Sequence, residues 1–400
     1  MKKVLSIVLC AALLLTFCAG AFSADDKTLR FKNGEFKILV LSDTQDDQFP
    51  AYDMVNLITL AIEETSPDLI VFTGDLVEDS RAGDIGIDGE SFREGVVVNT
   101  NGEIDHDKTK ENVIAASDAV LSVFQKSGVP FALVQGNNDH KVGLTNEEWH
   151  EIYSGYSNSL AFDMSDDSDG RIDYRLSIYG SDGAEKFGIW VLDTGRGGLN
   201  ADQIDWYSRT AGEITEQNGG EPIPAILFQH IQAADIGNLF VECSPFDEGA
   251  RAAGGKFYRL NPETAAGYNF FAYKPCEPTD EFKAWKEQGD VIGAYFGHQH
   301  VEGFTGTYDG IEMGFNYGAE FAKIGPYGCR LITLHEDDVT NYDNEMFTYE
   351  GSVKTGNARF EKQIDEPYKD YGNSPLKFIM AVKNLIISMV SVIIDFVASL

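Results

Sequence analysis

A short apolar, β-branched run, Phe36–Leu41 (FKILVL), is bounded by Gly34 and Asp43 and reads as a buried strand. Behind it Met54, Leu57, Ile58, Ala61 and Ile62 recur at helical spacing until Pro67 stops the pattern. A second run, Leu69–Thr73 (LIVFT), ends in Gly74 and Asp75. Strand, helix and strand with short connections are the signature of a parallel βαβ unit, and this unit sets the fold class as α/β.

The same grammar continues downstream. Residues 80–110 are polar and rich in Gly, Asp and Asn, without a sustained period, and read as a surface excursion. Val113, Ala116, Val120, Val123 and Phe124 mark another amphipathic helix, followed by a strand at Pro130–Val134. The stretch Asn158–Phe187 reads as a β-rich connection with an acidic turn at Asp166–Gly170. Phe187–Leu192 and Ile223–Phe228 are further strands, with a helix around Ala201–Glu216 between them. Residues 245–289 form a second excursion, rich in aromatics and glycine, of the kind that sits beside a site and sets specificity. Val291–Phe296, Ile311–Phe315 and Arg330–Leu334 complete the set of strands.

Polar residues of one chemical kind follow these strands. They are Asp43-Thr44-Gln45, Gly74-Asp75, Gly136-Asn137-Asn138-Asp139, His230 and Gly297-His298-Gln299-His300. In a parallel α/β sheet, sites form outside the carboxyl ends of the strands, which is where all five fall. A single Asp after a strand is usually a turn or helix cap, and a lone buried His is usually a core residue with its hydrogen bonds satisfied. Five such coincidences are harder to explain that way. In an extended segment i and i+2 point the same way, so His298 and His300 can serve one locus, and imidazole is the commonest metal ligand near neutral pH.

The ordered set resembles the calcineurin-like metallophosphoesterases, whose pattern is D-x-H, G-D, G-N-H-[D/E], H and G-H-x-H. The likeness runs from about Lys37 to His300. WVLDTGRGGLNADQIDWYSR at Trp190–Arg209, FQHI at Phe228–Ile231 and FGHQHVEGFTGTYDG at Phe296–Gly310 are similar to a purple-acid-phosphatase-like bacterial branch. The resemblance implies a two-sheet α/β/β/α sandwich over residues 30–345 holding two divalent metal ions, Mn, Fe or Zn. Asp75 would bridge them, with Asp43, Gln45 and His300 on one and Asn137, His230 and His298 on the other. Two cations roughly 3.5–4 Å apart need a shared anionic oxygen, and together they generate a hydroxide near neutral pH that can attack phosphorus.

Three positions depart from the family's pattern. Gln45 stands where a His is usual, and an amide oxygen is a weaker, harder ligand. Asn138 replaces the phosphate-contacting, proton-donating His, and an amide cannot protonate a leaving group. Losing such general-acid help typically removes about 10²–10⁴-fold in rate, unless His140, two residues on, takes the part. Glu78 falls where purple acid phosphatases carry a coordinating Tyr, so no iron–tyrosinate chromophore is expected.

The ends of the chain and its charge bound the context. Residues 1–23 read as a secretory signal peptide: Lys2 and Lys3, the apolar Val4–Phe17, then Ala21-Phe22-Ser23 as a small-x-small cleavage site. Export to the envelope or the outside is therefore expected. The mature chain keeps Cys243, Cys276 and Cys329, too few for a disulfide scaffold, though one bridge is open to them. Residues 376–400 carry an apolar face opposite a polar stripe. Such an amphipathic helix can lie in a membrane interface, pack on a partner or on its own chain, or span a bilayer. A formal charge of −33 argues against a nucleic-acid partner, which needs basic surface. The expected partner is a phosphate-ester substrate. Phosphomonoester hydrolysis is the leading reading, beside phosphodiester hydrolysis and a degenerate protein that binds phospho-ligands without turning them over.

Overall fold

A computed structural model describes residues 27–349, apart from 48–49, 78–90, 94–95, 99–104, 166–169 and 321–325. The stretches read as a signal peptide and a tail helix lie outside the described residues, as do Glu78 and most of the acidic turn.

Two sheets dominate. The smaller runs, edge to edge, Asp343–Tyr349, Tyr327–His335, Glu35–Leu41, Leu69–Phe72 and Phe131–Leu133. Its last three strands are parallel, and Tyr327–His335 lies antiparallel against Glu35–Leu41. The larger has eight strands, with Glu185–Leu192, Ala225–Gln229, Val291–Phe296 and Ile311–Phe315 mutually parallel at its centre.

Side-chain alternation sorts these strands into layers, because successive residues of a strand face opposite ways. Ile189, Val191, Ile226, Phe228 and Tyr295 join Ile38 and Val40 of the other sheet in one core. Their neighbours Trp190, Leu192, Ala225, Leu227 and Phe296 face outward onto a second core with Trp206, Tyr207, Phe282 and Trp285. Those four belong to the helices Ala201–Gln217 and Asp280–Gln288. The smaller sheet is covered in turn by Tyr52–Thr65 and His106–Ser127, through residues such as Met54, Ile58, Val120 and Phe124. The order is helix, sheet, sheet, helix, a two-sheet α/β/β/α sandwich.

One buried cation ties the sheets together. Arg330, on the smaller sheet, donates from Nη2 to the Phe315 carbonyl at 2.7 Å and from Nε to Asn316 Oδ1 at 2.8 Å. Its guanidinium also lies 5.0 Å over the Tyr295 ring, the stacked geometry that arginine favours over lysine.

Local structure corrects the sequence reading in several places. The helix read from Val113 begins at His106, with Asp105 as its cap accepting from Lys108 N at 3.0 Å, so it takes the end of the 80–110 excursion. The cap is an ordinary Asp, and the first turn carries no apolar period to reveal it. Within the same excursion the strands Ser91–Arg93 and Val96–Val98 pair antiparallel. The helix Asn146–Ser154 gave no clear signal, being about two and a half turns opened by a Thr145–Glu148 capping box. The 245–289 excursion is no open loop: it holds the strands Arg251–Ala253, Lys256–Leu260 and Ala265–Tyr268 and the helix Asp280–Gln288. Cys243, Cys276 and Cys329 are all free, so the bridge left open to them does not form. No helix among the described residues is long and apolar enough to cross a membrane.

Candidate metal centre

The parallel strands of both sheets release their chains toward one point. Backbone hydrogen bonds carry the ladders beyond the strands: Asp43 N to Gly74 O at 3.0 Å, Gln45 N to Asp75 O at 3.0 Å and Gly297 N to His230 O at 3.1 Å. Gly318 N to His300 O, at 2.7 Å, and Ala319 N to Ser42 O, at 2.8 Å, lace the last loop to the first.

Two groups of donors result, and Asp75 belongs to both. Ligand atoms of Asp75, His230 and His298 all lie within 4.8 Å of one another, as do those of Asp43, Asp75 and His300. His230 Nε2 is 3.3 Å from Asp75 Oδ2 and 3.1 Å from Asn137 Oδ1. His300 Nε2 is 3.7 Å from Asp43 Oδ1. Asp43, Asp75 and His230 are fully buried, and Gln45, Asn137 and Asn138 nearly so.

This convergence is held by strained backbone. Asp43, Gln45, Asp75, His298 and His300 all have positive φ, at 51°, 36°, 57°, 71° and 40°. Side chains other than glycine enter that region at a cost of order 1–3 kcal/mol each, and such residues cluster at functional sites. Two glycines make room. A Cβ on Gly136 would stand 2.1 Å from Asp75 Oδ1, and one on Gly297 would stand 2.2 Å from Ser42 Oγ.

Charge is concentrated here without matching basic side chains in the donor set. Burial raises the Asp43 carboxyl above its usual range, although His300 and His230 pull it down. Burial also works against the charge of Asp75, but His230 and the Asn138 N–H outweigh it and hold that carboxyl low. The His230 ring is pushed up to about 9: burial opposes its charge, and the carboxylates of Asp75 and Asp43 prevail. Buried carboxylates this close demand positive charge, as imidazolium or as bound cations.

Ring orientation shows that cations fit. His230 Nδ1 lies 2.8 Å from the Thr73 carbonyl, which can only accept, so Nδ1 carries the proton and Nε2 faces Asp75. The His300 ring places Nδ1 2.9 Å from Glu320 Oε1, an ion-pair contact, with Nε2 toward Asp43. A carboxylate or carbonyl behind the far nitrogen is the usual support of a metal-ligating histidine. The Asn137 amide agrees. Its oxygen faces imidazole nitrogens of His230 and His298, and turning the amide over would be the better hydrogen bond if nothing cationic sat between them. Aspartate, imidazole and amide oxygen together suit a borderline divalent ion.

The remaining candidates behave differently. Gln45 reaches the cluster, but its amide nitrogen, not its oxygen, meets Asp75 Oδ2. Asn138 is turned onto the shared carboxylate, donating from N to Asp75 Oδ1 at 2.8 Å and from Nδ2 to Oδ2 at 2.7 Å. The His140 ring is drawn to Asp193, with Nε2 at 2.8 and 2.9 Å from the two carboxylate oxygens. Burial lowers its basicity, but Asp193 more than compensates and leaves it raised.

Sequence reasoning gave no role to several residues that build this place. Asp139 accepts from Leu76 N, Val77 N and Gly136 N, at 3.2, 3.0 and 2.8 Å, and so staples the loop carrying Asp75 to the loop carrying Asn137. Ser42 bonds Asp43 Oδ2, while the His298 N–H reaches both oxygens of that carboxylate, at 3.2 and 3.0 Å. Glu320 and Lys141 complete the list. Asp139 had a signal available in its place within the Gly136–Asp139 motif, and Lys141 in its place three residues after Asn138.

An α/β/β/α sandwich with two donor groups sharing one aspartate at its strand ends defines a class of metal-dependent hydrolase folds. The sequence matches the calcineurin-like phosphoesterase family over residues 36–302, and the chain belongs to that family. It is similar to the Arabidopsis thaliana protein named "Probable inactive purple acid phosphatase 14", 24% identical, over 91% of this chain and 90% of the relative. It is also similar to "Probable inactive purple acid phosphatase 28" of the same plant, 24% identical over 73% and 72%. Among solved structures it is similar to a dimetal phosphatase from Danio rerio, 13% identical, with a TM-score of 0.44 over 79% of this chain and 99% of that one.

Proposed function

We propose that the protein hydrolyses phosphate monoesters with a pair of divalent cations, Mn, Fe or Zn, held by Asp43, Asp75, Asn137, His230, His298 and His300. The observation that carries this reading is the membership of Asp75 in both donor groups, since two neighbouring cations need one carboxylate between them. When bound, such ions lower the pKa of water toward neutrality and offset charge on phosphoryl oxygens. The chain's own residues hold and orient. Thr73 fixes the ring of His230 and Glu320 pairs its charge with that of His300, and Asn138 and Gln45 steady the Asp75 carboxylate. We also place the protein outside the cytoplasm, on the strength of its first 23 residues.

The test is metal content per chain together with turnover of an activated aryl phosphate in Mn²⁺, Fe²⁺ or Zn²⁺. Asp75→Asn should lower both the metal held and the turnover, the latter by at least about 10²-fold, the scale of losing one electrostatic stabiliser. Wild-type turnover in that variant would refute the metal mechanism.

A second reading, phospho-ligand binding without hydrolysis, is favoured by Asn138, whose side chain is committed to Asp75. The word "inactive" in the names of the two plant relatives agrees with it. Restoring His at positions 45 and 138 separates the two: a large gain from near-zero activity supports binding, and robust wild-type turnover excludes it.

A further inference from the structure

We propose that Lys141 grips the substrate's phosphoryl group and gives the site a preference for dianionic monoesters over diesters. The proposal rests on the metal-dependent phosphoesterase reading above and names what that site selects.

The argument begins with a turn. Asp139–Lys141 form a single turn of 3₁₀ helix capped by Asn138, closed by Lys141 N donating to Asn138 O at 2.8 Å. In such a turn, side chains three residues apart eclipse one another. Lys141 is therefore laid over Asn138, the position where the family's phosphate-contacting histidine is expected, and its Nζ donates to Asn138 Oδ1 at 2.9 Å. The same Nζ is 3.1 Å from the Asn137 amide end that points away from the histidines, Nδ2 when Oδ1 faces the cluster, a close approach and not a hydrogen bond. The other end of that amide lies 3.1 Å from His230 Nε2. A single amide group thus separates the ammonium from the donor cluster.

That placement supplies what Asn138 cannot. An anionic ester approaching a chain of formal charge −33 meets repulsion everywhere except at fixed positive charge. The hydrogen bond that Lys141 gives Asn138 goes to a neutral amide oxygen. A phosphoryl oxygen competes well for it, since charge-assisted hydrogen bonds are roughly twice as strong as neutral ones. A phosphate monoester carries about 1.5 to 2 negative charges at neutral pH and three terminal oxygens. A diester carries one charge and two such oxygens. The ammonium therefore gains more from the monoester. No proton transfer is asked of Lys141. It remains a point charge, as lysines do in other phosphate sites.

The experiment uses the full chain loaded with Mn²⁺ and three proteins: wild type, Lys141→Met and Lys141→Arg. Inorganic phosphate is titrated by calorimetry, metal per chain is measured in parallel, and kcat/KM is taken for an aryl phosphate monoester and an aryl phosphate diester. Lys141→Met should bind phosphate about ten- to a hundredfold more weakly, the worth of one charged hydrogen bond. It should hold as much metal as wild type, and its monoester-to-diester ratio of kcat/KM should fall by a similar factor. Lys141→Arg should recover most of the phosphate affinity. Unchanged phosphate affinity in Lys141→Met, or equal losses on both esters, overturns the proposal. The underlying reading fails separately. If metal-loaded wild type turns over neither ester, hydrolysis is refuted while the phosphate titration still decides what Lys141 does. If wild type binds no phosphate, both fall.

Discussion

Replacing Asp139 by Asn changes one atom of a fully buried side chain, and the structure fixes what that costs. Oδ2 of Asp139 accepts from Gly136 N at 2.8 Å and Leu76 N at 3.2 Å, and Oδ1 accepts from Val77 N at 3.0 Å. An amide offers one oxygen. The better orientation keeps it on Gly136 and Leu76 and sets the new NH₂ against the N–H of Val77. The Val77 donor and the amide's own hydrogens are then buried without acceptors. Each unsatisfied group costs about 1–3 kcal/mol, partly offset by removing a buried carboxyl that desolvation and the Asp75 charge already raise to about 7, so the variant should lose roughly 2 kcal/mol of unfolding free energy. Against a typical total of about 5–15 kcal/mol this is a large fraction. Urea unfolding of chelator-treated protein, followed by far-ultraviolet circular dichroism, measures it. Asp139 also joins the loop of Asp75 to that of Asn137, so metal held per chain should fall in the same variant. A midpoint equal to that of wild type would refute the claim that this carboxylate staples the two loops.

A pH effect is expected at Glu281, whose carboxyl is pushed from 4.5 up to about 7 by burial, with Asp235 adding to the rise. A carboxyl raised in the folded state gives stability that is full below pH 4.5 and lost as pH climbs through 7, a loss of up to about 3 kcal/mol. Glu281→Gln should remove that loss: its unfolding midpoint should match wild type near pH 4.5 and exceed it at pH 8, and the same gap at both values would count against the assignment. Gly136→Ala should cost folding as well as metal binding, because its Cβ would press on the Asp75 backbone N at 2.2 Å and on Asp75 Oδ1 at 2.1 Å. Metal per chain and the unfolding midpoint measure the two separately, and full metal content would contradict the close approach.

The sequence alone went far with the fold because a buried strand and an amphipathic helix each leave a periodic imprint. Phe36–Leu41, Leu69–Thr73, Phe187–Leu192 and Val291–Phe296 stood out as apolar runs, and the helices between them as stripes. It was silent where elements are short, as at Asn146–Ser154 and Gly303–Tyr308, since a nine-residue helix or a six-residue strand interrupted by Gly303 and Gly306 has too little period to read. The capped start at His106 was missed for a related reason: helix ends are set by local hydrogen bonds to the backbone, not by the apolar pattern.

The candidate site divides in the same way. Which residues could bind a cation was written in the chain, because Asp, Asn and His at successive strand ends are chemically suited to it and lie at one edge of any parallel sheet. How they are supported was not. That Glu320 stands behind His300, that Asp139 joins two loops, and that Lys141 rather than His140 leans over Asn138 depend on contacts between segments distant in sequence or on the handedness of a single turn. A chain states the chemistry of its side chains one residue at a time. Only packing decides which of them share a few ångströms, because burial and charge act on distance in space and take no account of separation along the backbone.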